Sequence, residues 1–113
     1  DLALDTFPYT SHTTASDALW CGCPLGALCG ETFAARVSGS ILAAAGLPDL
    51  VTHSMPDYEA KVLALATDAG LRQAVVNRVD AARTQAPLFN AAAFARELEA
   101  LYLQMLDRRP AAP

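Results

Sequence analysis

Hydrophobic positions divide the chain into two stretches with different rhythms. Leu2-Ala3-Leu4 is a short apolar run ahead of turn residues, which predicts a buried strand over residues 1–5. A helix is predicted over 13–22, with Ala18, Leu19 and Trp20 as apolar surface and Gly22 near its stop. Pro24 opens a second strand candidate, Leu25-Gly26-Ala27-Leu28-Cys29, which Gly30 ends. The next helix is predicted to start at Glu31-Thr32 and to run through Phe33, Val37, Ile41 and Leu42 to Gly46. A carboxylate suits that start, because the first amides of a helix have no partner within it. Strand, helix, strand, helix is the βαβα order of a parallel sheet.

Beyond that point the pattern is helical. Leu50-Val51 is a very short strand candidate, and Pro56-Asp57 starts a helix with Tyr58, Val62 and Leu65 on one side. Gly70 separates it from another, with a stripe at Leu71, Val75, Val79 and Ala82. Pro87 breaks that helix, and Asn90 is the predicted N-cap of the last one. Its stripe of Phe94, Leu98, Leu101, Tyr102 and Met105 is expected to face the core, and 110–113 reads as a frayed tail.

Two or three parallel strands with four to five helices is an unbalanced set, since a parallel sheet needs both faces covered. The expected fold is therefore α/β, the C-terminal half of a Rossmann-like lobe. It forms a single partial domain over 1–113: a βαβα part over 1–51, helices over 52–109, and the tail. Such a half either belongs to a longer protein or completes its sheet with a second copy.

Composition narrows the classes. The 113 residues are 53% hydrophobic and 18% charged, which is globular rather than disordered. A net charge of −4 and a pI near 4.9 leave no basic block for nucleic acid or an anionic membrane. The one basic pair, Arg108-Arg109, sits where it complements the end of a helix dipole. No apolar run reaches the roughly 18 residues of a membrane span. The opening residues carry Asp1 and Asp5 and no positive segment, so no secretory signal is expected. Three cysteines, Cys21, Cys23 and Cys29, are an odd number for a disulfide framework. They read as small buried thiols of a cytoplasmic protein, without the second ligand pair of a metal site. Seven of eight basic residues are arginine, which fits a GC-rich bacterial gene.

Candidate chemistry lies between the first strand and the first helix. The loop after a parallel strand meets a helix N-terminus whose free N–H groups and positive dipole end attract anions. Thr13 and Thr14 add hydroxyl donors there and His12 an imidazole. Asp17 follows one turn later on the same side, where it repels a bare phosphate but accepts hydrogen bonds from ribose hydroxyls. Phosphate donors followed by a sugar-binding acid suit a nucleoside diphosphate. The competing reading is that Ser11 or Thr13 only caps the helix and Asp17 is a solvated side chain. A P-loop is excluded, because no glycine-rich loop with a lysine is present.

The segment His12-Thr13-Thr14-Ala15-Ser16-Asp17-Ala18-Leu19-Trp20 resembles the C-terminal catalytic lobe of the O-linked N-acetylglucosamine transferases, including their SPINDLY-like bacterial relatives. The likeness continues at Gly22-Cys23-Pro24 and from Gly30-Glu31-Thr32 to Arg36-Val37. It resumes at Pro87-Leu88-Phe89-Asn90 and from Glu97 to Met105. The resemblance implies a GT-B glycosyltransferase that moves N-acetylglucosamine from UDP-GlcNAc to protein serine or threonine, with inversion and without a metal or other cofactor. It also implies that His12, Thr13 and Thr14 contact the UDP pyrophosphate and that Asp17 holds the ribose. Residues 7–11 depart from the animal enzymes, Glu31 reads as a first-turn acid or as a ligand contact, and His53 reads as a surface loop residue. Two alternatives stand beside this reading. One is a non-catalytic module that self-associates, for example as a homodimer; the other is a GT-B transferase using a different nucleotide sugar.

Overall fold

Leu25–Leu28 is buried at every position and forms the central strand of a parallel sheet in the computed structural model, which describes residues 1–108. The expected tail at 110–113 lies outside the described residues. The order is β1 (Ala3–Leu4), β2 (Leu25–Leu28), β3 (Val51–Thr52). Ala3 pairs with Leu25 and Leu4 with Gly26 on one edge; Ala27 pairs with Val51 and Leu28 with Thr52 on the other. Parallel neighbours need crossovers. These are α1 (Thr13–Trp20) and α2 (Val37–Ala44), which both pack on β2. Three helices follow: α3 (Met55–Thr67), α4 (Ala69–Gln85) and α5 (Ala91–Asp107). The architecture is thus the expected α/β one, with three parallel strands and five helices.

Glycine stops the first two helices by one device. Gly22 and Gly46 take φ of +79° and +75°, where a Cβ is strained. The chain then folds back through Cys23 N to Ala18 O at 2.8 Å and Leu47 N to Leu42 O at 2.8 Å. The core between sheet and helices is aliphatic, with Leu19, Leu42, Leu47, Leu50, Leu65 and Val79 fully buried. α3 packs on β2 and β3, and α4 lies against α1 and α3.

Several expectations change in detail. α2 begins at Val37 rather than Glu31-Thr32, because residues 30–36 are spent on a turn closed by Gly30 N to Ala35 O at 2.9 Å. Glu31 is therefore not a first-turn acid. The early amide of α2, that of Ser38, donates instead to Thr10 Oγ1 at 3.3 Å. Leu50 belongs to a short 3-10 turn (Pro48–Leu50), so the third strand starts one residue late, at Val51. Ser54 caps α3 and Asp68 caps α4, which places Gly70 inside the first turn of α4. Of the α4 stripe, Val75, Val79 and Ala82 are buried while Leu71 is exposed. Cys21 is exposed and Cys23 and Cys29 are half-buried, so the thiols are less enclosed than expected; all three are free.

The largest correction concerns α5. Asn90 caps it as predicted, accepting from Ala93 N at 2.9 Å. Its stripe does not face the core: Phe94, Leu101, Tyr102 and Met105 are exposed, and no residue of the helix is buried. The period marks an apolar face, but within the described residues nothing covers it. No described helix is long and apolar enough to cross a membrane.

Candidate diphosphate site at the start of the first helix

The site begins at the end of β1. Asp5 continues the ladder through its amide to Gly26 O at 3.2 Å. Its buried carboxylate then turns back on the loop: Oδ1 accepts from Thr6 N at 2.9 Å and from Ser11 N at 2.7 Å. A charged acceptor shared by two amides is a strong closure, so residues 6–11 are folded on Asp5. Inside the loop, Thr6 Oγ1 donates to Tyr9 O at 2.6 Å. At its exit, the buried Thr10 donates through N and Oγ1 to Ala34 O, at 3.0 and 2.6 Å. From below, Tyr58 Oη donates to Asp5 O at 3.0 Å. Burial, and then the nearby Asp5 charge, raise the Tyr58 phenol above its ordinary value of 10.0.

This scaffold delivers His12 as the residue preceding α1. The His12 carbonyl accepts from Ala15 N at 3.1 Å and Ser16 N at 3.4 Å, which starts the helix. No side chain caps it, and Arg36 gives no capping bond to α2 either, whereas Ser54, Asp68 and Asn90 cap α3, α4 and α5. Neither Ser11 nor Thr13 supplies the capping bond, which removes that half of the competing reading. Thr13 and Thr14 are exposed at the helix start, with their amides in the positions that lack helical partners. Asp17 is exposed one turn on, on the face shared by Thr13 and Thr14. The four residues singled out from the sequence therefore lie together at the helix start, with Thr13, Thr14 and Asp17 exposed and His12 half-buried.

Two neighbours of His12 were not legible in the sequence. Tyr9 stacks on the imidazole with centroids 5.0 Å apart and planes at 18°. Phe33 meets it edge-on at 6.4 Å. The ring is thus held between two aromatics that are 65% and 76% exposed, and its Nε2 is buried without a protein partner. Asp5 was likewise missed as the organiser of the loop; a lone acid directly after an apolar strand was the available signal.

The carboxyl edge of the sheet holds a crevice of about 500 Å³. The loops after all three strands contribute to it: Phe7 after β1, Cys29 to Glu31 after β2, and His53 to Met55 after β3. Gly30 is required there, since a Cβ would lie 2.8 Å from the Ala35 Cβ and 3.0 Å from the Phe7 ring. His53 is an exposed loop residue as expected, but it lines this crevice.

The profile of glycosyl transferase family 41 matches residues 1–98. The chain is 37% identical over 106 residues to a probable UDP-N-acetylglucosamine–peptide N-acetylglucosaminyltransferase, SEC, of Arabidopsis thaliana, covering 93% of this chain and 11% of that protein. It is 36% identical to the UDP-N-acetylglucosamine–peptide N-acetylglucosaminyltransferase of Caenorhabditis elegans, covering 96% of this chain and 9% of the relative. Among solved structures, a mutant O-GlcNAc transferase of Thermobaculum terrenum superposes with a TM-score of 0.85 at 34% identity, over 92% of this chain and 20% of that one. The chain thus spans about a tenth of the length of the curated relatives it matches. With the profile covering most of its length, the chain belongs to glycosyl transferase family 41.

Proposed function

We propose that this chain is the part of a UDP-GlcNAc:protein transferase that holds the diphosphate and ribose of the donor. The observation that carries the reading is the uncapped start of α1, with Thr13 and Thr14 exposed around it and Asp17 one turn further on. In this reading the amides and hydroxyls of residues 12–14 bind the pyrophosphate, and the Asp17 carboxylate accepts from ribose hydroxyls. As the sugar leaves for a serine or threonine hydroxyl, negative charge grows on the β-phosphate. Preorganised donors at a helix N-terminus stabilise that charge without a metal. The activities named for the relatives in Arabidopsis thaliana and Caenorhabditis elegans support the choice of donor and of a peptide acceptor. We expect the 113 residues alone to bind UDP without transferring sugar.

Calorimetry with UDP tests this on the wild-type chain, Thr14→Ala and Asp17→Ala. Loss of one charge-assisted contact should cost about 1.5–3 kcal/mol; unchanged affinity in both variants contradicts the assignment.

The exposed stripe of α5 favours a second reading, a non-catalytic module that self-associates into a homodimer. Sedimentation separates the two: a tight dimer without UDP affinity supports the module, and a monomer that binds UDP supports the donor site.

A further inference from the structure

Two of the three thiols share one cleft. Cys21 and Cys23 flank Gly22 where α1 ends, and both line a cleft of about 490 Å³ to which α4 contributes Arg72 and Gln73. The turn itself is closed by backbone alone, through Cys21 N to Asp17 O at 2.9 Å and Cys23 N to Ala18 O at 2.8 Å. Its two side chains are therefore not needed to stop the helix. Cys21 is exposed, and the half-buried Cys23 donates to Pro24 O at 3.7 Å, a weak bond for a thiol. Residues two apart have Cα atoms at most about 7.2 Å from each other. Gly22, at φ +79°, folds the chain between them and brings that separation into the roughly 4.4–6.8 Å that a disulfide spans. Cys29 is out of reach, because β2 puts about 13 Å of strand between it and Cys23.

We propose that Cys21 and Cys23 are a redox-active dithiol, which a small disulfide of the glutathione class oxidises to an internal disulfide. Cys21 gives up its proton and attacks one sulfur of the incoming disulfide, whose S–S bond breaks. The departing thiolate takes up that proton and leaves as a free thiol. Cys23 then attacks the Cys21 sulfur of the mixed disulfide, and a second thiol leaves with the Cys23 proton. Two electrons pass from the pair to the small disulfide, which becomes two thiols. Arg72 spends Nη1 on Leu65 O and Ala66 O, at 2.9 and 3.0 Å, and keeps Nε and Nη2 for a carboxylate of the entering molecule. Asp1 also lines the cleft, so the hold on an anion rests on these directed bonds rather than on net charge. A bridge between residues two apart closes a small ring, and strained, exposed disulfides are the labile ones. Excess thiol therefore reopens it. The site lies at the opposite end of α1 from His12, Thr13 and Thr14 and does not depend on what they bind.

Treating the reduced chain with oxidised glutathione, then alkylating and mapping each cysteine by mass, tests this. Cys21 and Cys23 should lose their alkylation together, with a chain mass lower by two hydrogens, while Cys29 stays labelled. Excess reduced glutathione should restore both. Cys23→Ser should halt at the mixed disulfide, with one glutathionyl group on Cys21. An unreactive Cys21, a glutathionyl group that persists on the wild-type chain, or a bridge to Cys29 overturns the proposal. Arg72→Gln should slow oxidation by oxidised glutathione but not by the uncharged 2-hydroxyethyl disulfide. Equal slowing with both reagents, or with neither, overturns the part assigned to the cleft.

Discussion

The amide of Ser11 donates to the carboxylate of Asp5 across 2.7 Å, and this contact closes the loop that hands the chain from β1 to α1. The same oxygen holds Thr6 N, so one buried acid sets the position from which His12, Thr13 and Thr14 leave the sheet. Asp5→Ala strands two amides and should cost about 3 kcal/mol in urea unfolding. Asp5→Asn keeps an acceptor at the same place and should recover most of that loss. Equal destabilisation by the two variants would show that the charge, not the loop closure, matters.

Tyr58 links α3 to the same acid from beneath. Its phenol titrates above 10.0 in the folded chain, first because burial disfavours the phenolate and then because Asp5 is negative. The unfolded phenol ionises first, so the neutral form's contribution is complete below pH 10 and is lost as pH rises through the folded value. Tyr58→Phe should lower stability by about 1 kcal/mol at neutral pH through the lost bond to Asp5 O. It should also remove this alkaline decline, and a decline of the same size in the variant would refute the link.

At Gly30 the loop after β2 comes up against the Phe7 ring of the loop after β1. A methyl group there would sit 2.8 Å from the Ala35 Cβ. Gly30→Ala should therefore destabilise by about 1–3 kcal/mol, as overpacking does, and should shift the Phe7 ring resonances. A variant with wild-type stability and an unmoved Phe7 would show that the loops have slack.

How much of this was legible depended on distance along the chain. β1, α1 and β2 were readable because each is a short apolar run bracketed by its own turn residues, Pro8 and Gly22 among them. The start of α2 was not, because Glu31-Thr32 has the local look of a helix start while the hydroxyl that serves the early amide belongs to Thr10 in another loop. The α5 stripe was readable as a period, yet a period states only that a face exists, not what covers it. At the site, His12, Thr13, Thr14 and Asp17 stood out because their chemistry is consecutive. The edge-on contact of Phe33 with the His12 ring, which Tyr9 stacks on, joins separate loops, and no spacing rule announces it.

The central claim is that the open amides of α1 hold a diphosphate, and an amide-resolved NMR titration of the chain with UDP addresses it without intermediaries. The account predicts saturable shifts that are largest at Thr13 and Thr14 and extend to Asp17. Saturable shifts confined to another part of the chain, or none at all, would contradict it.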